Sequence, residues 1–365
     1  MKNAIVLALV LYASCAAAQT AAPADWQKQW DQWLAAAKQE GKVTIMAPPD
    51  TEVRNALPPA FEKKYGITVE YIGGRSSETA ARLRSERQAG LYTVDATLSG
   101  IQTMATIFYR EKMIDPLDKI LIRPDVVDGS HWMGGKLWYM DPDQKYILRL
   151  FNTRGVLFYI QTDQIKPSEI QSSTDLLNPK WKGKIATHDP TVPGTGSNDA
   201  ARLYAALGEE FAKGLYVGQK PVIGRNRREL TDWLAHGTYP IVFGAEDNAV
   251  ERLRKDGFHI LPVYELKDLA GSLSAGIGEL AVFNHAPHPN AAKIFANWIA
   301  SKEGLEIFAR ARGEVPTRTD IDASQYLPAE YIPKPGVKYF DTYDWTFTVT
   351  TKEKIRARMK ELLHG

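Results

Sequence analysis

The amino-acid sequence predicts an α/β protein of two lobes, each a mainly parallel sheet flanked by helices, joined by two crossing strands. Short apolar strand patterns alternate with helical patterns, which is the arrangement of parallel sheets with crossover helices. These units fall into two groups, one before about residue 150 and one after it. The 365 residues also exceed the size, about 250–300 residues, at which single cores usually stop growing.

The first group of elements begins with a helix, because Trp26, Trp30 and Trp33 recur at helical spacing and Gly41 ends the pattern. Three apolar strands follow, each succeeded by a helical segment. The predicted strands are KVTIMA (42–47), ITVEYIG (67–73) and VDATLSG (94–100). Their alternation with helices predicts parallel pairing in the first lobe.

The second group is less regular but contains the same kind of unit. A glycine-rich loop opens a helix at 193–199, and a strand, a polar turn and a helix occupy 239–257. The extended segments near 146–156 and 273–283 are predicted to cross between the lobes. The predicted organisation is a signal peptide (1–18), the first part of lobe 1 (19–150), lobe 2 (151–272), a return to lobe 1 (273–320) and a C-terminal segment packed on the lobes (321–365).

The N-terminal segment has the features of a secretory signal peptide. Lys2 precedes the apolar run AIVLALVLYA, and the small residues 16–18 form a cleavage pattern. The run is too short to span a bilayer as a helix. Cleavage after Ala18 is preferred over a lipoprotein site at Cys15, because Tyr12 stands where the lipoprotein motif has a leucine-like residue. We therefore expect an exported, periplasmic protein.

The composition excludes several classes of partner. The chain carries 45 basic and 43 acidic residues and a formal net charge of +2, so its charge favours neither nucleic acid nor an anionic membrane. The single cysteine, Cys15, lies in the predicted leader, so the mature protein would have no disulfide and no thiol chemistry. We expect a soluble monomer without a cofactor.

The sequence GGRSSE, residues 73–78, joins a predicted strand to a predicted helix. Free backbone N–H groups and the helix dipole at such a position attract anions. Arg75, Ser76 and Ser77 would add a cation and two hydroxyls. Ser76 would also serve as an ordinary helix cap, with Glu78 favourable in the first turn. Because Arg75 and the two glycines exceed what a cap requires, we predict a ligand site here.

Further candidate residues lie at other strand ends and on a crossing segment. The loop PGTGSND (193–199) repeats the pattern of hydroxyls and glycines before a helix, although it would also serve as an ordinary turn. The acids of FGAEDNA (243–249) suit either a helix start or a contact with a cationic part of a ligand or a metal. The predicted ligand-binding residues beyond the first loop are Ser99, Gly100, Asn152, Thr195, Gly196, Ser197, Asn198, Glu246, Asp247 and Asn248.

The sequence contains no recognisable motif for metal binding, nucleotide binding or nucleophilic catalysis. It has no H-E-x-x-H and no Walker sequence, and GTGSN is not G-x-S-x-G because its serine is displaced. His285 and His288 flank a proline in what reads as a rigid surface turn rather than a metal pair. We therefore predict neither a metal site nor an enzyme.

Six phrases in order along the chain carry a family resemblance. They are WLAAAKQEGKVTIMAP, AFEKKYGITVEYIGG, ARLRSERQAG, LLNPKWKGKIATHDP, PHPNAAKIFANWIASKEG and GEVPTR, and they extend from about Trp26 to Arg318. Together they resemble the extracellular solute-binding proteins of ABC importers, in the ferric-binding-protein-like branch. The resemblance implies the type II periplasmic binding fold and a venus-flytrap closure of two lobes on a ligand. It also implies docking of the closed form on an inner-membrane permease, with the loops at 75–77, 99–100, 195–198 and 246–248 facing the cleft.

One departure from the ferric-binding pattern bears on the ligand. Those members carry adjacent tyrosines near the turn that here reads FGAEDNA, and this chain has no Tyr-Tyr pair. Arg75, Ser76 and Ser77 favour a small organic anion, and the acids at 246–247 would suit an amino group on it, as in an aminoalkyl phosphonate or an aminocarboxylate. A ferric or other metal ion, held in part by Glu246 and Asp247, is the alternative. A secreted α/β hydrolase is the third reading.

Overall fold

Within residues 25–364, the chain forms two five-stranded sheets and one three-stranded sheet. The computed structural model describes residues 25–364, so the predicted signal peptide, 1–18, lies outside the described residues. The strands are β1 Lys42–Ala47, β2 Thr68–Gly73, β3 Ala96–Ser99, β4 Ile114–Asp115, β5 Thr153–Gly155, β6 Phe158–Gln161, β7 Ile185–His188, β8 Val222–Gly224, β9 Ile241–Phe243, β10 Ile260–Val263, β11 Ser272–Ser274, β12 Glu279–Phe283 and β13 Phe340–Asp341. The α-helices are α1 Trp26–Glu40, α2 Thr51–Tyr65, α3 Ser76–Gln88, α4 Ile101–Thr103, α5 Pro124–Val127, α6 Thr195–Lys213, α7 Arg227–Ala235, α8 Asp247–Lys255, α9 Pro289–Ala300, α10 Lys302–Arg312 and α11 Lys352–His364.

The first lobe contains the sheet β2-β1-β3-β12-β4. Strand β1 pairs in parallel with β2 and β3, as the alternating pattern predicts. Helices α2 and α9 cover it with aromatic side chains: the Phe61 ring centroid lies 5.4 Å from that of Phe295 and 5.2 Å from that of Trp298. Burial of such rings is the main contribution to the stability of this core.

The second lobe contains the sheet β10-β6-β9-β7-β8. Strand β7 pairs in parallel with β8 and β9, whereas β6 is antiparallel to both β9 and β10. In the first sheet β12 is likewise antiparallel to its two neighbours. Each five-stranded sheet therefore has two parallel and two antiparallel pairs rather than mainly parallel ones, because β6 and β12 come directly from the segments that cross between the lobes.

A short sheet at the hinge joins the two lobes. Strands β5 and β11 pair antiparallel there, with Leu273 opposite Arg154, and β13 adds to β11 in parallel. The segment predicted to be extended at 273–283 is divided between β11 in the hinge and β12 in the first lobe, because the chain turns at Gly276 (φ 64°). Two crossing strands between two lobes are thus confirmed, and the exact domain boundaries stay predictions.

The C-terminal part of the chain contacts both lobes. Helix α11 packs against α6, and Met359 is buried in the core of the second lobe. Trp345 packs against the buried cluster that includes Phe108 in the first lobe. No helix of residues 25–364 has the length and apolar composition that crossing a membrane requires. Because α11 supports α6, it also positions the side chains that α6 presents to the cleft.

Candidate functional site: a cleft between the lobes

A cleft of about 630 Å³ lies between the lobes at the hinge. The second lobe contributes the first turns of α6 and α8, and the hinge contributes residues 153–159. The first lobe contributes Asp50 and Glu52 at the start of α2 and residues 312–314 after α10. Tyr331, Thr342 and Tyr343 of the C-terminal segment complete the wall. Such a cavity is large enough for a small organic molecule.

One face of α6 lines the cleft. Thr195, Asn198, Asp199 and Arg202 are spaced at i, i+3, i+4 and i+7, so they lie on the same side of the helix. Gly196 lets this helix begin against the end of β7: a methyl group at that position would lie 2.1 Å from the carbonyl oxygen of His188. The first-turn N–H groups, and the positive end of the helix dipole, are therefore held at the cleft.

Arg202 lies at the base of this face and is only 2% exposed. Its Nη2 donates to the carbonyl oxygen of Ala270 at 2.7 Å. Its Nε has no hydrogen-bond partner among residues 25–364, and burial lowers the pKa of its guanidinium to about 10. A buried donor without a partner is costly, so Arg202 retains both a positive charge and unused hydrogen-bonding capacity in the wall of the cleft.

Asp199 lies beside Arg202 on the same wall. Burial raises the pKa of the Asp199 carboxyl to about 7, because desolvation outweighs the opposing effect of Arg202 and Arg227. The carboxyl accepts no hydrogen bond from the residues that the structure describes. A single proton added to or removed from this group near neutral pH therefore changes the charge of the cleft.

The turn before α8 is fixed by a network around Arg227. Its Nε donates to the carbonyl oxygen of Gly244 at 3.0 Å, and its Nη2 also contacts Ala245 and Asp247. The Tyr159 hydroxyl donates to the other oxygen of Asp247 at 2.6 Å. Asp247 is therefore occupied by protein groups, unlike its neighbour Glu246, whose carboxylate has no partner within the described part of the chain.

Arg154 of strand β5 forms the hinge side of the cleft and is 6% exposed. Its Nη1 donates to the carbonyl oxygen of Glu330 at 3.0 Å, and its guanidinium lies 4.5 Å from the ring centroid of Tyr264. Its Nε, like that of Arg202, is buried without a partner in the described residues. The deep end of the cleft thus holds two buried arginines, each with an unused donor.

The first-lobe wall differs, because its charges are paired with one another. Arg312 Nη1 donates to Asp50 at 2.6 Å, and Arg312 Nη2 lies 3.8 Å from Glu314. Glu314 also accepts a hydrogen bond from the hydroxyl of Thr153. These contacts tie the first lobe to the hinge, although the Nε of Arg312, like those of Arg202 and Arg154, is buried without a hydrogen-bond partner among residues 25–364.

Five predicted site residues line the cleft and two more support it. Gly196 donates its N–H to His188 Nδ1 at 3.1 Å, and Ser197 Oγ lies 3.2 Å from the nitrogen of Gly194, so both hold the start of α6 in place. The predicted residues that line the cleft are Thr195, Asn198, Glu246, Asp247 and Asn248.

The other predicted residues lie away from this cavity. Arg75 is 81% exposed and pairs with Glu78 at 3.7 Å, and Ser77 is exposed beside it. Ser76 accepts a hydrogen bond from the nitrogen of Gly100 at 3.2 Å, which is a structural contact at the end of β3. The two remaining residues are buried: Ser99 Oγ lies 2.5 Å from Thr97 Oγ1, and Asn152 is bonded to Arg149 and Met133.

The sequence interpretation missed most of the charged lining. Asp199 and Arg202 carry a detectable signal, since they continue the helical spacing that begins at Thr195 and Asn198. Arg252 lies on the helix that begins at Asp247, but nothing local distinguishes it from a solvated arginine. The residues that only tertiary contacts bring to the cleft are Arg154, Arg227, Arg312, Glu314, Tyr331 and Tyr343.

The cleft therefore presents both signs of charge, which suits a solute with an anionic and a cationic end. Among residues 25–364, no group of three or more His, Cys, Asp or Glu side chains is placed to hold a metal ion. Three phenols, Tyr159, Tyr331 and Tyr343, line the cavity. Burial raises the pKa of Tyr343 to about 12 and raises those of the other two as well, so the phenols are neutral here.

The sequence matches a known family over most of its length. Residues 56–337 match the model of the family described as bacterial extracellular solute-binding protein. A curated protein of Haemophilus influenzae, described as uncharacterized, is 24% identical over 286 residues, which cover 73% of this chain and 75% of that protein.

Solved structures share the fold at low sequence identity. Iron-bound HitA from Pseudomonas aeruginosa is 16% identical and superposes with a TM-score of 0.61 over 88% of this chain and 98% of that chain. The ferric binding protein from Campylobacter jejuni is 17% identical, with a TM-score of 0.66 over 88% and 99%. AfuA from Actinobacillus pleuropneumoniae, with fructose-6-phosphate bound, is 17% identical, with a TM-score of 0.63 over 89% and 99%. All three are similar to this chain in their two-lobed periplasmic binding fold.

Proposed function

Because this chain belongs to the bacterial extracellular solute-binding proteins of ABC importers, we propose that its cleft captures a small anionic organic solute for import. We propose that the solute is bound and released unchanged, and we prefer this function to that of a secreted hydrolase, the third interpretation of the sequence. The two lobes close on the solute about the hinge strands β5 and β11, and closure is driven by the higher affinity of the solute for the closed state.

The observation that carries this proposal is the α6 face together with the buried arginines behind it. Thr195 and Asn198 present a free hydroxyl and amide beside the positive end of the helix dipole. Arg202 and Arg154 add positive charge behind this face, and the Nε of each has no hydrogen-bond partner among residues 25–364, although Arg154 also pairs with Glu265 at 3.4 Å. These groups fit the oxygens of a phosphonate, phosphate or carboxylate, since charge-assisted hydrogen bonds in a dry site are strong.

The opposite end of the solute carries an amino group in this proposal. The carboxylate of Glu246 has no partner among residues 25–364, and Asn248 lies near it in the first turn of α8. An aminoalkyl phosphonate or an aminocarboxylate would satisfy both ends. Fructose-6-phosphate in AfuA shows that one protein of this fold holds a phosphorylated solute, which is compatible with an anion at α6.

The first-lobe residues predicted from the sequence keep a role in the closed form only. We propose that closure brings the loop with Arg75, Ser76 and Ser77, followed by Ser99 and Gly100, toward the solute held on the second lobe. Asn152 does not line the cleft, and its side-chain oxygen accepts a hydrogen bond from Arg149 Nη2 at 2.9 Å, so we propose for it a supporting role next to β5 without contact to the solute. The protein acts as a periplasmic monomer that docks on an inner-membrane ABC permease.

The proposal is tested by native mass spectrometry of protein purified from the periplasm, with metal analysis of the same sample. We expect a bound organic anion of low mass and no stoichiometric metal. Stoichiometric iron would contradict the proposed ligand class. The role of the first lobe is tested separately by Arg75→Ala, which we expect to weaken binding of the identified solute by about fivefold; unchanged affinity would remove Arg75 from the site.

A ferric ion is the second candidate, and one structural observation favours it. Tyr159, Tyr331 and Tyr343 converge on the cleft although they are far apart in the sequence. Phenolates suit a hard cation, and HitA is a neighbour solved with iron. Against it, the Tyr159 hydroxyl is already donated to Asp247, and burial raises the pKa of all three phenols. The metal analysis distinguishes the two candidates.

A further inference from the structure

We propose that Asp199 contacts the anionic end of the solute as a carboxylic acid, so that capture takes up one proton and weakens above neutral pH. This inference rests on the proposed function, because it places the anion of the solute on the α6 face. It adds a binding residue that the sequence interpretation did not include and couples capture to the pH of the surroundings.

The position of Asp199 places its carboxyl next to the groups that bind the anion in the proposed function. It follows Asn198 directly and lies one turn after Thr195, on the same side of α6 as Arg202. An anion bound by these groups must therefore lie beside the Asp199 carboxyl. Two negative charges within a desolvated cleft repel each other strongly, so the arrangement favours a proton between them.

The groups around Asp199 do not neutralise it by hydrogen bonding. The charged and titratable residues that act on it are Arg202 on α6, Arg227 on α7, Asp247 on α8, Lys352 on α11 and Tyr216 after α6. The guanidinium of Arg202 is directed to the carbonyl oxygen of Ala270, and that of Arg227 to Gly244 and Ala245. The carboxyl therefore remains free to donate its own O–H to a solute.

The energetic cost of that proton is small. Burial raises the pKa of Asp199 to about 7 in the empty cleft, so the acid form is already populated near neutral pH. A nearby anion raises the pKa further, because it disfavours the charged carboxylate. Binding then draws a proton from solution, and linkage makes the affinity fall about tenfold per pH unit once the empty protein is ionised.

If Asp199 contacted the cationic end of the solute instead, the predicted proton exchange would have the opposite sign. If Asp199 received the amino group of the solute, the cation would lower the pKa of the carboxyl and binding would release a proton. Replacement by asparagine would then abolish an ion pair and weaken binding at all pH values. The sign of the proton exchange therefore tells which end of the solute lies against α6.

The test uses isothermal titration calorimetry of the mature protein with 3-aminopropanoate and with 2-aminoethylphosphonate. The carboxylate of the first probe stays ionised between about pH 6 and pH 9, so proton uptake is assigned to the protein. Tris and triethanolamine serve as buffers at about pH 8 and at equal concentration, because both buffer there, neither is an anion and they differ in ionisation enthalpy. The compared proteins are the wild type, Asp199→Asn, and Glu210→Gln as a matched control on the exposed face of α6, where Glu210 pairs with Lys213.

We expect the wild type and Glu210→Gln to take up about one proton, with an affinity that falls above neutral pH. Asp199→Asn, whose amide also donates, should bind without proton uptake and about 100-fold more tightly than the wild type near pH 9, two units above the pKa of the empty protein. Binding with no proton exchange, or with proton release and a loss of affinity in Asp199→Asn, would overturn the inference and leave the proposed function standing. Absence of binding by both probes would overturn both.

Discussion

Two loops of this protein have nearly the same pattern in the sequence but occupy different environments in the structure. The first-lobe loop, GGRSSE (73–78), and the second-lobe loop, PGTGSND (193–199), each follow a parallel strand and open a helix. The second-lobe loop lines the cleft. The first-lobe loop contacts the end of β3 through Ser76 and exposes Arg75 to solvent. Similar local chemistry therefore indicates a similar local structure, whereas the packing of the two lobes decides which loop lines the cleft.

The glycines of the two loops should give the largest difference. Gly196→Ala places a methyl group 2.1 Å from the backbone oxygen of His188, whereas a methyl group at Gly74 meets only the side-chain Cγ2 of Thr79 at 2.6 Å. Backbone yields less than a side chain, so we expect Gly196→Ala to lose about 3 kcal/mol of unfolding free energy and Gly74→Ala about 1 kcal/mol. Urea unfolding measures both, and equal losses would mean that α6 is not held closely against β7.

The acids near the starts of the two helices, Asp199 in α6 and Glu78 in α3, should differ in pH dependence. The pKa of Asp199 is raised to about 7 by burial, above its ordinary value of 3.8. A raised acid pKa means that the folded state holds the proton longer, so stability is lost as the pH rises from about 4 to about 7. Asp199→Asn should abolish this slope and stabilise the protein near pH 8 by about 2 kcal/mol.

Glu78→Gln in the first-lobe loop provides the matched comparison. Glu78 is exposed and pairs only with exposed Arg75, so we expect a change below about 0.5 kcal/mol at any pH. Thermal unfolding between about pH 5 and pH 8 compares the two variants. A pH slope that persists in Asp199→Asn would assign the proton to another buried acid, such as Glu279, whose pKa is also raised by burial, to about 8.

The hydroxyls at the first helical positions should give smaller effects than Gly196→Ala and Asp199→Asn, and the two effects should differ in kind. Thr195 lines the cleft, whereas the hydroxyl of Ser76 accepts from the nitrogen of Gly100. Thr195→Ala should weaken solute binding about tenfold with little change in stability. Ser76→Ala should cost about 1 kcal/mol of stability with little change in affinity. Calorimetric titration and urea unfolding of both variants separate the two roles, and the reverse result would place the anion site on the first lobe.

Much of the fold could be predicted from local patterns. Alternating apolar patterns and glycines at the ends of segments predict the first helix, which ends before Gly41, and the first three strands. The structure has these strands at 42–47, 68–73 and 96–99. The extended pattern at 273–283 could not be divided correctly, because β11 and β12 belong to different sheets and the turn at Gly276 carries no distinctive hydrophobic signal. The direction in which neighbouring strands pair could not be predicted either, because it depends on which strands enter each sheet from the hinge.

The candidate site also has a part that local sequence patterns predict and a part that they do not. The start of α6 was predicted because hydroxyls and glycines before a helical pattern have a local physical meaning, namely free N–H groups at a helix start. Arg154 could not be predicted, since its role depends on packing against Tyr264, more than 100 positions away, at 4.5 Å. The first-lobe pairing of Arg312 with Asp50 is equally remote in sequence.

The sequence by itself determined the fold class, the family and one wall of the cleft, because these depend on residues close together in the chain. Hydrophobic periodicity, helix starts and ordered family phrases all act over short separations. Only the tertiary structure decided which charges converge at the hinge and which of them remain unpaired. The reason is physical: the pKa of Asp199 and the unused donors of Arg202 and Arg154 arise from desolvation by distant segments, and desolvation exists only once the lobes are packed.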